Sequence, residues 1–156
     1  MNKHKRKPIT ILMAEDDADD HLLVKESFRE NCLSNDLFFV QDGEELLQYL
    51  RQQGRYAAPA SSPRPGLILL DLNMPRKDGR EALQEIKADP SLRHIPVVVL
   101  TTSKTEEDIL RSYNIGAAGF IIKPVTFEGR VEAIKILNRY WFEIVELPSW
   151  NTLVIS

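Results

Sequence analysis

The segment "GLILLDLNMPRKDG", residues 66–79, runs four consecutive aliphatic side chains into a carboxylate, Asp71, and then breaks at Pro75 and Gly79. An apolar run without polar alternation predicts a strand over 67–70 that is covered on both faces, as in parallel sheets flanked by helices. Asp71 therefore falls at the carboxyl end of an interior strand. A charged group in that position needs a partner or a task.

Working outward, four more short runs have the same character: "ITILMA" (9–14), "LFFV" (37–40), "PVVVL" (96–100) and "GFII" (119–122). Between them lie segments of helical periodicity. Leu23, Val24, Ser27, Phe28 and Cys32 share one stripe, Leu46, Leu47 and Leu50 a second, and Ala82, Leu83 and Ile86 a third. Asp42 and Gly43 supply turn chemistry at the entry to the second helix. For the fourth helix, Ser103 and Glu106 predict a capping box, Gly116 the end, and Ile109, Leu110 and Tyr113 the buried face. Strands alternating with helices give an α/β domain, a doubly wound five-stranded parallel sheet of flavodoxin-like strand order 2-1-3-4-5.

The chain has 156 residues and 43% hydrophobic content, enough for one core. A formal charge of -3, with no zinc-finger spacing or arginine-rich tract, argues against a nucleic-acid partner. Cys32 is the single cysteine, which fits a reducing compartment and a structural thiol. The basic opening "MNKHKRK" leads into a short apolar run ending in acids, which is no signal peptide, and no stretch of about 18 apolar residues is present. A cytoplasmic protein with no membrane partner is expected. Residues 1–8 read as a flexible basic arm, 9–147 as the domain with a long last helix, and 148–156 as a C-terminal tail. The segment "QQGRYAAPASSPRPG" (52–66) reads as a surface loop, roughly two to three times the usual connection length.

Ligands of such sheets bind outside the carboxyl ends of the strands. There the first strand delivers Glu15 and Asp16, the third Asp71, the fourth Thr101 and the fifth Lys123. Order 2-1-3-4-5 makes the first and third strands neighbours, so three carboxylates meet, and their mutual repulsion calls for a cation. Mg²⁺ suits an all-oxygen set and accepts a phosphoryl oxygen as well. Lys123 and Thr101 add a positive charge and a hydroxyl, and Asp71 makes sense as a nucleophile that forms an acyl phosphate. Singly, each residue has an ordinary reading: Asp17 and Asp19 as a cap or first-turn acids, Thr101 as a turn residue, Lys123 as a solvated charge. Their convergence at one end of the sheet is what points to chemistry.

The stretches "ILMAEDD", "LILLDLNMPRKDG", "VVVLTTS" and "GFIIKP" closely resemble the receiver domain of two-component response regulators, over roughly residues 9–140. The resemblance implies that Asp71 accepts a phosphoryl group from a sensor histidine kinase. It further implies that Asp16 binds Mg²⁺ directly, Glu15 through water, Asn73 through its main-chain carbonyl, and that Asp71 is itself a ligand. Thr101 and Lys123 would contact the phosphoryl group, Phe120 would act with Thr101 as the switch, and the Lys123–Pro124 bond would be cis. Phe120 lacks the hydroxyl of the tyrosine usual at that place, so its switch would be steric.

From Thr126 to Glu146 there is no proline, and a helix over that span would be about 31 Å long. Phe127, Val131, Ile134, Leu137 and Trp141 suffice to pack it on the sheet. The surplus, including Tyr140, Phe142, Ile144 and Val145, predicts with Trp141 a homodimer interface. The ending "YWFEIVELP" and the long loop resemble single-domain regulators of bacterial and cyanobacterial phytochromes, which implies a light-sensing kinase as partner. Only "PSWNTLVIS" remains after that helix, so no DNA-binding domain is expected.

Three other readings compete. A phosphatase of the haloacid dehalogenase type carries D-x-D, but Asn73 occupies the second position and cannot serve as an acid. Flavin phosphate binding wants a Gly/Ser/Thr-rich loop where this chain has "EDDADD". The alternative kept is a phosphate-independent binding or dimerisation module of receiver fold.

Overall fold

A computed structural model describes residues 9–30, 36–58, 62–102, 104–137 and 139–140. Its elements run β1 (Thr10–Ala14), α1 (Ala18–Glu30), β2 (Asp36–Val40), α2 (Gly43–Leu50), β3 (Leu67–Leu70), α3 (Gly79–Ala88), β4 (Val97–Thr101), α4 (Glu106–Ile115), β5 (Gly119–Ile122) and α5 (Phe127–Leu137), with a 3₁₀ turn at Gly54–Tyr56. The five strands form one sheet in the order β2-β1-β3-β4-β5, and every neighbouring pair is parallel. This is the expected doubly wound fold.

Two apolar layers clothe the sheet. On one face Leu12, Ile68, Leu70, Val97 and Val99 pack with Leu46 and Leu50 of α2 and with Leu83 and Ile86 of α3. On the other, Ile11, Met13, Leu69, Val98 and Leu100 pack with Val24 of α1 and with Ile134 and Leu137 of α5. Alternate residues of one strand thus serve opposite layers, so an interior strand must be apolar throughout. All four residues of β3 are buried.

The α2 and α3 stripes are buried as expected. In α1, Val24 and Ser27 are buried and Leu23 is half-buried, while Cys32 lies outside the described residues. The outer helices depart from expectation. In α4 the buried residue is Ser112, whereas Leu110 and Tyr113 are 64% and 49% exposed. This helix packs mainly along α3 and β5. Ile115 reaches the core and Ile109 is half-buried, while Leu110 and Tyr113 turn outward. Its cap is Thr105, whose hydroxyl accepts from the Asp108 N–H at 3.2 Å, so the helix starts later than the Ser103–Glu106 pattern implied. In α5, Ile134 and Leu137 reach the core, but Phe127 is 65% exposed. The Lys123–Pro124 bond is trans, against the cis bond the resemblance implied.

Polar contacts hold the described parts of the long connection after α2, residues 51–58 and 62–66. The buried Tyr49 donates its hydroxyl to the Pro63 carbonyl at 2.7 Å, and the buried Ser62 hydroxyl donates to the Tyr56 carbonyl at 2.9 Å. Tyr56 packs on Tyr49 with ring centroids 5.1 Å apart.

Candidate functional site

Main-chain hydrogen bonds carry the parallel ladders one residue past the strand ends. The Glu15 N–H donates to Val40 O at 3.0 Å, Asp71 to Ala14 O at 3.0 Å and Lys123 to Thr101 O at 2.7 Å. The residues that the sequence singled out are thereby held at one edge by the sheet itself.

The carboxylates of Glu15, Asp16 and Asp71 place one oxygen each within 4.8 Å of one another. Glu15 and Asp71 are buried, and Asp16 is exposed. Lys123 is buried beside them, its Nζ 2.5 Å from Glu15 Oε1 and 3.7 Å from Asp71 Oδ2. Thr101 is fully buried and accepts a long bond from Asn73 Nδ2 at 3.4 Å, while the Asn73 N–H donates to Asp71 Oδ1 at 3.2 Å. Phe120 is half-buried in the α3/α4-side layer, on the face of the sheet that also carries Val99 and Thr101.

Burial first, and then the adjoining Asp71 carboxyl, push the Glu15 pKa up to about 9 against the lowering influence of Lys123. Burial would lower the Lys123 pKa, but hydrogen bonds to Asp20 and Glu15 outweigh it and hold the ammonium above its ordinary range. Burial and the neighbouring carboxyl thus disfavour the charged form of Glu15 where no cation offsets it. A hard, all-oxygen donor set of this kind fits a divalent metal ion.

Sequence reasoning missed three contributors. Asp20, in the first turn of α1, is 2% exposed and accepts from Lys123 Nζ at 2.7 Å. Arg130 of α5 donates to the other Asp20 oxygen at 2.8 Å. His21 donates from Nε2 to the Glu15 carbonyl at 2.5 Å and stacks on Phe39 at 4.3 Å. Asp20 and Asp19 look alike within "EDDADD", and only the helix phase turns Asp20 inward while Asp19 stays exposed. Asp17 takes the capping part considered for it, accepting from the Asp19 N–H at 2.9 Å. Asp78 accepts from the Arg80 N–H at 2.7 Å and caps α3. Of the expected interface residues, Tyr140 is 51% exposed, and Trp141, Phe142, Ile144 and Val145 lie outside the described residues.

Residues 11–135 match the model of the response regulator receiver domain, and the chain belongs to that family. It is 40% identical over 149 residues to the response regulator Rcp1 of Synechocystis, covering 96% of this chain and 99% of that one. The crystal structure of an Mn(2+)-bound form of Rcp1 superimposes with a TM-score of 0.85 at 42% identity, over 91% of this chain and 100% of the other. That of the phosphorylated cyanobacterial phytochrome response regulator RcpA also reaches 0.85, at 41% identity over 92% of this chain and 100% of the other. Among the described residues, no helix is long and apolar enough to cross a membrane.

Proposed function

We propose that this receiver takes a phosphoryl group onto Asp71 from the phosphohistidine of a sensor histidine kinase, and that the modified domain signals by presenting a changed surface to a protein partner. The observation that carries the reading is Asp71 itself, buried at the end of β3 beside the Glu15 and Asp16 carboxylates and the Lys123 ammonium.

In the transfer, an Asp71 carboxylate oxygen attacks phosphorus, the new O–P bond forms, and the P–N bond breaks with its electron pair returning to the imidazole of the donor. Glu15, Asp16 and Asp71, with the main-chain carbonyl of Asn73, would hold Mg²⁺, which supplies neutralisation of the phosphoryl oxygens when bound. Lys123 meets a further oxygen of the transferring group. Once the group is in place, Thr101 turns its hydroxyl toward it, and Phe120 occupies the space that Thr101 leaves.

The resemblance to regulators named for phytochromes supports a light-sensing kinase as the donor, in the cytoplasm. Exposed apolar residues on α4, the β5–α5 turn and α5, namely Leu110, Tyr113, Val125, Phe127 and Ile136, with Tyr140 just beyond α5, support a homodimer through the fourth and fifth helices and the segment after them. Light scattering that finds monomer at micromolar concentration, with and without phosphorylation, rejects the dimer.

The test is intact-protein mass spectrometry after incubation with acetyl phosphate, with and without Mg²⁺, on wild type and Asp71→Asn. One Mg²⁺-dependent phosphoryl adduct, absent from the variant, is expected. No adduct under any condition favours the phosphate-independent binding or dimerisation module.

A further inference from the structure

Of the three carboxylates that surround Lys123 Nζ, Glu15 and Asp71 belong to the cation-binding cluster and Asp20 does not. Asp20 reaches the ammonium from the first turn of α1. Its Oδ2 accepts from Lys123 at 2.7 Å and its Oδ1 from Arg130 Nη1 at 2.8 Å. Arg130 in turn donates from Nε to the Pro124 carbonyl at 2.9 Å, next in sequence to Lys123. The contacts close a ring from α1 through Lys123 and the turn after β5 to α5 and back.

Local packing makes that ring possible. A Cβ on Gly129 would meet Pro124 Cβ at 2.7 Å and Thr126 Oγ1 at 2.8 Å, so only glycine lets the start of α5 lie this close to the turn and bring Arg130 within reach. The small cavity lined by Asp20, Lys123, Pro124 and Arg130 has room for about one water. The contacts among the four are direct.

A lysine stem is flexible, and an ammonium that must meet a phosphoryl oxygen gains from being held in advance. Buried charges also contribute little net stability compared with apolar side chains of equal volume, so stability alone is a weak reason for this group under the site. We propose that Asp20 is a positioning residue for Lys123, and that Arg130 holds Asp20 so that the ammonium stays aimed at Asp71 and at a phosphoryl group arriving there. The inference rests on reading Asp71 as the phosphoacceptor.

The test is the initial rate of Asp71 phosphorylation by acetyl phosphate and Mg²⁺ in a double-mutant cycle. Asp20→Asn is expected to slow the rate about tenfold and Lys123→Ala to slow it more, with the double variant no slower than Lys123→Ala alone, because an anchor without its lysine has nothing left to aim. A wild-type rate for Asp20→Asn, or a slowing that multiplies with that of Lys123→Ala, overturns the inference. If circular dichroism finds Asp20→Asn unfolded, Arg130→Gln takes its place, with about a threefold slowing expected in the wild-type background and none in Lys123→Ala. Any other pattern overturns the inference. A wild-type chain that accepts no phosphoryl group removes the functional reading and this inference together, whereas a phosphorylated wild type with an unaffected Asp20→Asn removes only this inference.

Discussion

Gly79 packs so closely on Asp71 that a Cβ there would lie 2.2 Å from the Asp71 main-chain oxygen and 2.7 Å from Leu72 Cα. The Gly79 N–H also donates to Leu72 O at 2.9 Å, so the start of α3 closes directly over the strand end that carries Asp71. Main chain cannot move aside as a flexible side chain can. Gly79→Ala is expected to cost about 1–3 kcal/mol in denaturant unfolding and to slow Asp71 phosphorylation through displacement of the strand end. An unchanged midpoint and rate would show that the contact relaxes freely.

Glu15 sets a pH dependence whose sign can be worked out. Its pKa rises from 4.5 in the unfolded chain to about 9 in the fold, chiefly through burial, so between those values the folded state holds the extra proton and stability falls as pH rises. Asp20 is lowered below 3.8 by Lys123 and Arg130 despite its burial, and that contribution is lost only as pH falls further. Lys123 is raised above 10.5, so its contribution persists throughout the window. Urea unfolding in chelator should therefore give lower stability near pH 8.5 than near pH 6, and Mg²⁺ should reduce the difference by taking the proton's place. Equal stability at the two pH values in chelator contradicts the account.

Phe120 gives a prediction about output. It lies half-buried on the same face of the sheet as Thr101, and a steric switch needs its bulk but no hydroxyl. Phe120→Ala is expected to bind a partner equally well with and without the phosphoryl group, where wild type discriminates. Undiminished discrimination by the variant in a binding titration would exclude the residue from the switch.

Tyr49 fastens the loop after α2 through its 2.7 Å bond to the Pro63 carbonyl. Tyr49→Phe removes one buried donor and leaves the carbonyl without it, at an expected cost of about 1–2 kcal/mol. Hydrogen exchange should quicken across 62–66 more than in the sheet. Uniform exchange along the chain would assign the loop's order to packing instead.

Arg80 ties α3 to α4 through a two-point contact with Asp108, at 2.8 and 2.6 Å. The hydrogen bond to Asp108 leads in holding the guanidinium well above its already high pKa, so the pair stays charged at any working pH. Both side chains keep some exposure, so Asp108→Ala is expected to cost only about 1 kcal/mol. The larger effect should be faster amide exchange in α4, and its absence would show that the helix is held by its apolar contacts.

Much of this protein is legible in its amino-acid sequence. The apolar runs without alternation marked interior strands, because a parallel strand must satisfy both faces of the sheet, and β3 matches its expected span of 67–70. The burial of α2 and α3 followed from their stripes. The meeting of Glu15, Asp16 and Asp71 followed from strand order alone, since neighbouring parallel strands end at the same edge.

Where helices pack on one side only, the pattern misled. An apolar residue on α4 can face the core or the solvent with the same spacing, and the exposure of Leu110 and Tyr113 depends on how the helix docks. The parts of Asp20 and Arg130 were invisible for a related reason. They stand 110 positions apart and meet only when α1 and α5 cover the same face of the sheet. Local sequence determined which residues reach the site along the strands, because each strand's direction is written in its own few residues. The company that Lys123 keeps was decided by the tertiary structure, because it depends on the docking of two helices that no local pattern specifies.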